Sequence, residues 1–176
     1  MNRSYVSFTI GFTLVFVVLV CNVNASGMNM DAFPDGLHQV PPNASPALGE
    51  VHGFLNTTLS TFSIQAGDGI YSNLLAGALT VTLNDGAPGT TGPVIGTFTL
   101  DSPGTTSGTF QGTVPLTAQQ VLDMSAGITY INITDSLFPG GEIRGELQVL
   151  PEPSALVLAG LGVLALLAMR RRVSAW

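Results

Sequence analysis

His38 and His52 are the only imidazoles in this chain of 176 residues, and Cys21 is its only thiol. A zinc or copper centre asks for three or four nitrogen, sulfur or oxygen ligands in fixed geometry. Two histidines flanking a proline-rich loop, with no cysteine beside them, do not compose that set. They read as a loop histidine and a strand histidine, and no metal or other cofactor is expected. Acidic turns such as Asn84-Asp85-Gly86 offer oxygen ligands for calcium, but no Asp-x-Asp-x-Asp-Gly loop with a distal glutamate occurs. Asn and Asp favour such turns for conformational reasons in any case. Serines are numerous, yet no Gly-x-Ser-x-Gly elbow holds one out as a nucleophile. The sequence leaves open which carboxylates meet in space. Glycosidase clefts usually carry aromatics as well, and the stretch 26–150 has no tryptophan. Asn43, Asn56 and Asn132 each open a glycosylation sequon, read as chance matches. No catalytic residue is assigned and no enzyme is expected. The alternative from another class is an extracellular metal-binding or hydrolytic enzyme domain.

Charge narrows the field further. Between Ser26 and Leu150 stand ten acids and one base, Arg144, with no lysine anywhere, a net charge of about −9. Nucleic acid is excluded as a partner, because its binding depends on clustered Lys and Arg. On a strand, residues 142, 144 and 146 share a face, so Glu142 and Glu146 flank Arg144. Arg144 is expected to pair with a carboxylate and to tie the Pro139-Gly140-Gly141 turn to a sheet. Capture of a carboxylate ligand is its functional alternative.

These residues need elements to position them, and the middle of the chain reads as strands. Turn signals recur at Asp35-Gly36, Gly67-Asp68-Gly69, Asn84-Asp85-Gly86, Pro103-Gly104 and Pro139-Gly140-Gly141. Leu79–Leu83 alternates apolar and polar residues as a half-buried strand does. Ile128–Ile133 alternates too, with Ile128, Tyr130 and Asn132 on one face and Thr129, Ile131 and Ile133 on the other. Val94–Leu100, Thr109–Val114 and Ile143–Val149 behave similarly. Short strands with regular turns predict an all-β antiparallel sandwich or barrel. One helix is expected after Thr117, which forms a capping box with Gln120, with Val121, Leu122 and Met124 making apolar contacts before Gly127. About 120 residues suffice for a core without disulfides.

The mean hydropathy of +0.44 comes from the two ends, Phe8–Cys21 and Ala155–Met169. Residues 1–25 read as a secretory signal peptide: Arg3 before an apolar run, then Val23-Asn24-Ala25 with cleavage after Ala25. An uncleaved anchor and lipoprotein processing at Cys21 are the other readings. Residues 151–176 form a tail of three parts. Pro151-Glu152-Pro153 comes first, then the apolar run Ala155–Met169, then Arg170, Arg171 and Arg172. A helical run of that length spans about 22 Å against a hydrocarbon core of about 30 Å, so it just crosses with its flanks. The arginines stay cytoplasmic, which leaves the preceding domain, 26–150, on the exported side.

This tail resembles the PEP-CTERM sorting signal. The resemblance implies recognition by an exosortase in a Gram-negative bacterium that makes exopolysaccharide, and release from the inner membrane to the envelope or extracellular matrix. A permanent single-span anchor is the alternative. The domain has its own resemblance, carried by Asp35–Gly49 with Pro41 and Pro42, by Gly92-Pro93-Val94, and above all by Tyr130–Leu147. That last stretch includes Tyr130, Asn132, Pro139, Gly140, Gly141, Glu142, Arg144 and Gly145. Together these resemble the CHRD domain, named for chordin, over about residues 33–149. The resemblance implies an immunoglobulin-like β-sandwich and no settled activity. Many bacterial relatives carry histidines at positions that correspond here to Thr82, Asn84 and Thr134, so a metal site of that kind is expected to be absent. The sequence as a whole points to a non-catalytic, exported interaction module. Its expected partners are signal peptidase, exosortase, the inner membrane and exopolysaccharide or matrix proteins.

Overall fold

The computed structural model describes residues 27–150 together with Gly160 and Gly162. The expected signal peptide, Ala25, the Pro151-Glu152-Pro153 signature, the apolar run and Arg170–Arg172 lie outside the described residues. No helix among the described residues is long and apolar enough to cross a membrane.

Strands dominate. In chain order they are β1 Gly27–Ala32, β2 Leu48–Asn56, β3 Thr61–Ser72, β4 Thr80–Asp85, β5 Val94–Leu100, β6 Gly108–Pro115, β7 Thr129–Thr134, β8 Ile143–Glu146 and β9 Gln148–Val149. Within residues 27–150 one helix, α1, covers Ala118–Ser125, between β6 and β7. All strand pairs are antiparallel, and they join in one sheet of order β8-β7-β4-β5-β6-β3-β2-β1-β9. The strands expected from the alternation are present. The immunoglobulin-like division into two sheets is not how they hydrogen-bond, because a single ladder runs through all nine.

The two ends of that ladder are one piece of chain. Residues 143–149 pair through β8 with β7 and through β9 with β1, with buried Leu147 at the crossover. The outer edge of β8 is covered as well. Asp35 and Arg144 exchange both backbone hydrogen bonds at 3.0 Å, and Asp35 also bridges to Leu48 at the start of β2. The sheet thereby curls into a nearly closed barrel, and few unpaired backbone groups are left on an edge. Inward-facing Val51, Leu55, Phe62, Val81, Leu83, Phe110, Ile131, Ile133 and Leu147 fill it. Phe98 meets Phe62 edge-on, with ring centroids 6.2 Å apart.

Three local expectations change. Gly67-Asp68-Gly69 is not a turn between strands but lies within β3, where the pairing with β6 shifts register between Ile64 and Gly69. Gly67 supplies the positive φ of 89° that this bulge uses. The helix has its capping box at Thr117 and Gln120, but Leu122 is exposed. Two turns of helix bury only the side bearing Met124 and Val121. Ile143–Val149 is not one strand, because it must leave β7 and reach β1 within seven residues.

Candidate functional site

Most strands are buried on one face. β4, β7 and β8 are buried on both. Their inner residues, Val81, Leu83, Ile131, Ile133 and Ile143, enter the apolar core. Their outer residues are polar: Thr82 and Asn84 on β4, Tyr130 and Asn132 on β7, Arg144 and Glu146 on β8. The register sets them side by side, with Thr82 opposite Asn132, Asn84 opposite Tyr130, Asn132 opposite Arg144 and Tyr130 opposite Glu146. Two loops, Asp35–Asn43 and Gly86–Gly92, cover this face and convert it from a solvated surface into a buried polar layer.

Arg144 is the centre of the layer and is 1% exposed. Its guanidinium lies 3.5 Å from the centroid of the Tyr130 ring, which its positive charge favours. Nε donates to Glu146 Oε1 at 3.0 Å, Nη1 to the Thr90 carbonyl at 2.6 Å and Nη2 to the Ala87 carbonyl at 3.2 Å. The expected carboxylate partner is therefore Glu146. What Arg144 ties to the sheet is the 87–90 loop, not the Pro139-Gly140-Gly141 turn. Glu142, one residue before β8 begins, turns its side chain the other way. The Tyr130 hydroxyl accepts from Gly92 N at 3.1 Å, and Asn84 Nδ2 donates to the Gly92 carbonyl at 3.2 Å. The Gly92-Pro93-Val94 turn is held through those contacts.

The Pro139-Gly140-Gly141 turn is tied by amides instead. Asn132 Nδ2 donates to the Gly140 carbonyl at 3.2 Å, and Asn132 Oδ1 accepts from Gln39 Nε2 at 2.7 Å. Gly141 has φ of 129°, and a Cβ there would sit 2.1 Å from Asn132 Oδ1. Pro41 follows a cis peptide bond, and Pro42 continues the same loop. Asn43 Nδ2 donates to the Glu142 carbonyl at 2.8 Å. Gly145 lets β8 approach Pro34, whose backbone nitrogen would lie 2.6 Å from a Cβ. The residues of the closing motif thus converge on one task, holding two covering loops to the outer face of the barrel.

The remaining chemistry-bearing residues lie apart. His38 Nδ1 is 2.7 Å from Asp35 Oδ1 in the covering loop. Burial pushes the Asp35 carboxyl up, but the hydrogen bonds from His38 outweigh this and hold it below the usual carboxylate value. His52, on β2, sits 2.8 Å from Asp31 and 3.1 Å from Glu50. The hydrogen bond to Asp31 raises the His52 imidazole above its usual value, with Glu50 adding to it against partial burial. Among the described residues, no three His, Cys, Asp or Glu side chains are grouped to hold a metal ion. Thr82, Asn84 and Thr134 turn their polar atoms to partners within the chain. Thr82 Oγ1 donates to Asn84 Oδ1 at 2.7 Å, and Thr134 Oγ1 meets Thr80 Oγ1 at 2.6 Å. Asn84-Asp85-Gly86 ends β4 and enters the covering loop, where Arg144 lies against backbone carbonyls.

Gln39 and Asp135 belong to the buried polar architecture and are not singled out by the sequence, while Thr82 is singled out there only for lacking a histidine. Gln39 and Asp135 lie in connections and carry no periodic signal, and Thr82 alternates on a strand the structure covers on both sides. Alternation alone reads as a face open to water.

Residues 149–172 match the PEP-CTERM protein-sorting motif, which implies processing by an exosortase and export to the cell envelope. No curated protein and no solved structure matches the chain. Residues 32–147, bounded by the end of β1 and the crossover residue Leu147, match the CHRD domain model, and the chain belongs to the CHRD domain family.

Proposed function

We propose that this protein is a non-catalytic component of the cell envelope or extracellular matrix, exported by a signal peptide spanning residues 1–25 and sorted through residues 151–176. In this reading the domain, a nearly closed antiparallel β-barrel, contributes contacts to polysaccharide, to matrix protein or to its own copies. The sorting motif at 149–172 carries the reading. It begins on β9, so the folded domain and the address share a boundary with no spacer. The side chains best suited to chemistry support a structural role. Arg144, Tyr130, Asn132 and Glu142 are buried and bonded to one another or to covering loops.

Fractionation tests the reading. The full chain is expected in the envelope or medium fraction, and a chain ending at Leu150 is expected to lose that distribution. Deleting the exosortase should leave a heavier species at the inner membrane. Unchanged mass would mean that the tail is a permanent anchor. Metal analysis of the secreted protein tests the non-catalytic part, because a stoichiometric bound metal would reverse it.

A further inference from the structure

Asp135 and Glu142, at the two ends of the β7–β8 connection, are both 0% exposed. Neither takes part in the layer around Arg144. Together they supply four carboxyl oxygens, and the donors around them satisfy three. Asp135 Oδ1 accepts from Phe138 N, and Asp135 Oδ2 accepts from Ala76 N at 3.0 Å. Glu142 Oε1 accepts from Ser45 Oγ and from Leu75 N at 2.9 Å. Glu142 Oε2 is buried and has no partner. The consecutive amides of Leu75 and Ala76 donate one to each carboxyl, Leu75 to Glu142 and Ala76 to Asp135, so the two acids are held side by side. Arg144, two residues away, directs its guanidinium to Glu146, Thr90 and Ala87.

Two ionised carboxylates side by side without water or a cation repel strongly, and each loses its hydration. A cation between them is disfavoured by the surroundings. Three backbone N–H groups and a hydroxyl point at the oxygens, which suits negative charge and opposes a metal. A proton resolves the conflict, and the donor pattern places it. Both Asp135 oxygens already face N–H donors, as does Glu142 Oε1, which leaves Oε2 as the position where an O–H meets no competing donor.

We infer that Glu142 keeps a proton on Oε2 at neutral pH and donates it to the Asp135 carboxylate, so that one acid–carboxylate hydrogen bond closes this end of the barrel. The pair joins three segments: Ser45 before β2, Leu75 and Ala76 between β3 and β4, and the β7–β8 connection. Loss of the proton as pH rises places two like charges in a dry site and loosens all three at once. Burial first, and Asp135 second, push the Glu142 carboxyl above its usual value, against the pull of Ser45 and Leu75. A group raised on folding binds its proton more tightly in the native state. Its stabilisation is complete below the unfolded value of about 4.5 and fades as pH rises through the folded one.

The test is thermal and denaturant unfolding of the full chain in mild detergent from pH 4 to 9, beside Glu142→Gln. Glutamine keeps an acceptor for Ser45 and Leu75 and presents a permanent donor to Asp135. The difference between the two proteins cancels the titration of His52 and the other acids. Over the window in which native Glu142 holds its proton and unfolded Glu142 does not, the ratio of their unfolding constants should rise about tenfold per pH unit, in favour of the variant. An infrared band of a protonated carboxylic acid should be present in the wild type at pH 7 and missing from Glu142→Gln. A pH-independent ratio, or no such band in the wild type, would overturn the inference. So would a calcium ion bound at this pair in the purified protein.

Discussion

Arg144 shows how a residue suited to ligand capture becomes a structural one. Its guanidinium meets one carboxylate, two carbonyls and one aromatic face, all within the chain. A buried ion pair adds little net stability over an apolar substitute, but removing one partner alone strands the other. Arg144→Ala should therefore cost about 3–5 kcal/mol, read as a lower midpoint in denaturant. Arg144→Lys should recover only part of it, since an ammonium cannot reproduce the planar fork or the stack on Tyr130. If Arg144→Ala leaves the midpoint unchanged, the guanidinium does not hold the 87–90 loop. His52 gives a gentler test. Its imidazole is about half exposed, so its tie to Asp31 carries little stability. Whatever it contributes is present below the usual imidazole value and lost as pH rises through the raised one. Nuclear magnetic resonance should place its midpoint above 6.5, and Asp31→Asn should move it back towards that value.

At the scale of elements, β4, β7 and β8 differ from the other strands in being covered twice, and glycines make the second cover possible. Gly145→Ala would put a Cβ 2.6 Å from the Pro34 backbone and force β8 away from Asp35. Gly141→Ala would combine a disfavoured φ with intrusion between Asn132 and Gln39. Gly67→Ala meets no neighbour within 4 Å and should cost only about 1–2 kcal/mol for its positive φ. Both Gly141→Ala and Gly145→Ala should lower the melting temperature by more than Gly67→Ala, and equal shifts would contradict the close packing of the covering loops. The strands themselves were legible, because period-two alternation follows from one apolar core, and the capping box at Thr117 fixed the start of α1. The cover was not. Tyr130 and Asn132 have the alternation of a solvent-facing row, and only the fold brings the distant segments Asp35–Asn43 and Gly86–Gly92 over them. The Pro139-Gly140-Gly141 turn was visible for its glycines, while its tie to Asn132 depends on a contact across the sheet.

For the whole molecule, chain order and address coincide. Residues 143–149 close the barrel by pairing at both of its ends, and the sorting motif starts at residue 149, inside that closure. Leu147, fully buried at the crossover, is the core residue nearest the tail. Leu147→Ala should cost about 2–5 kcal/mol and lower the yield of exported protein along with its melting temperature. If yield falls while melting is unchanged, Leu147 acts through sorting and not through the core. Under the proposed function, a folded, acidic domain is delivered outside the cytoplasm between two removable or membrane-held ends. Intact mass of the natural protein, recovered by fraction, tests it most directly. An envelope or extracellular species that begins near residue 26 and lacks the terminal arginines is expected when exosortase is present. A cytosolic species of full length, with Met1 and Trp176 both retained, would contradict it.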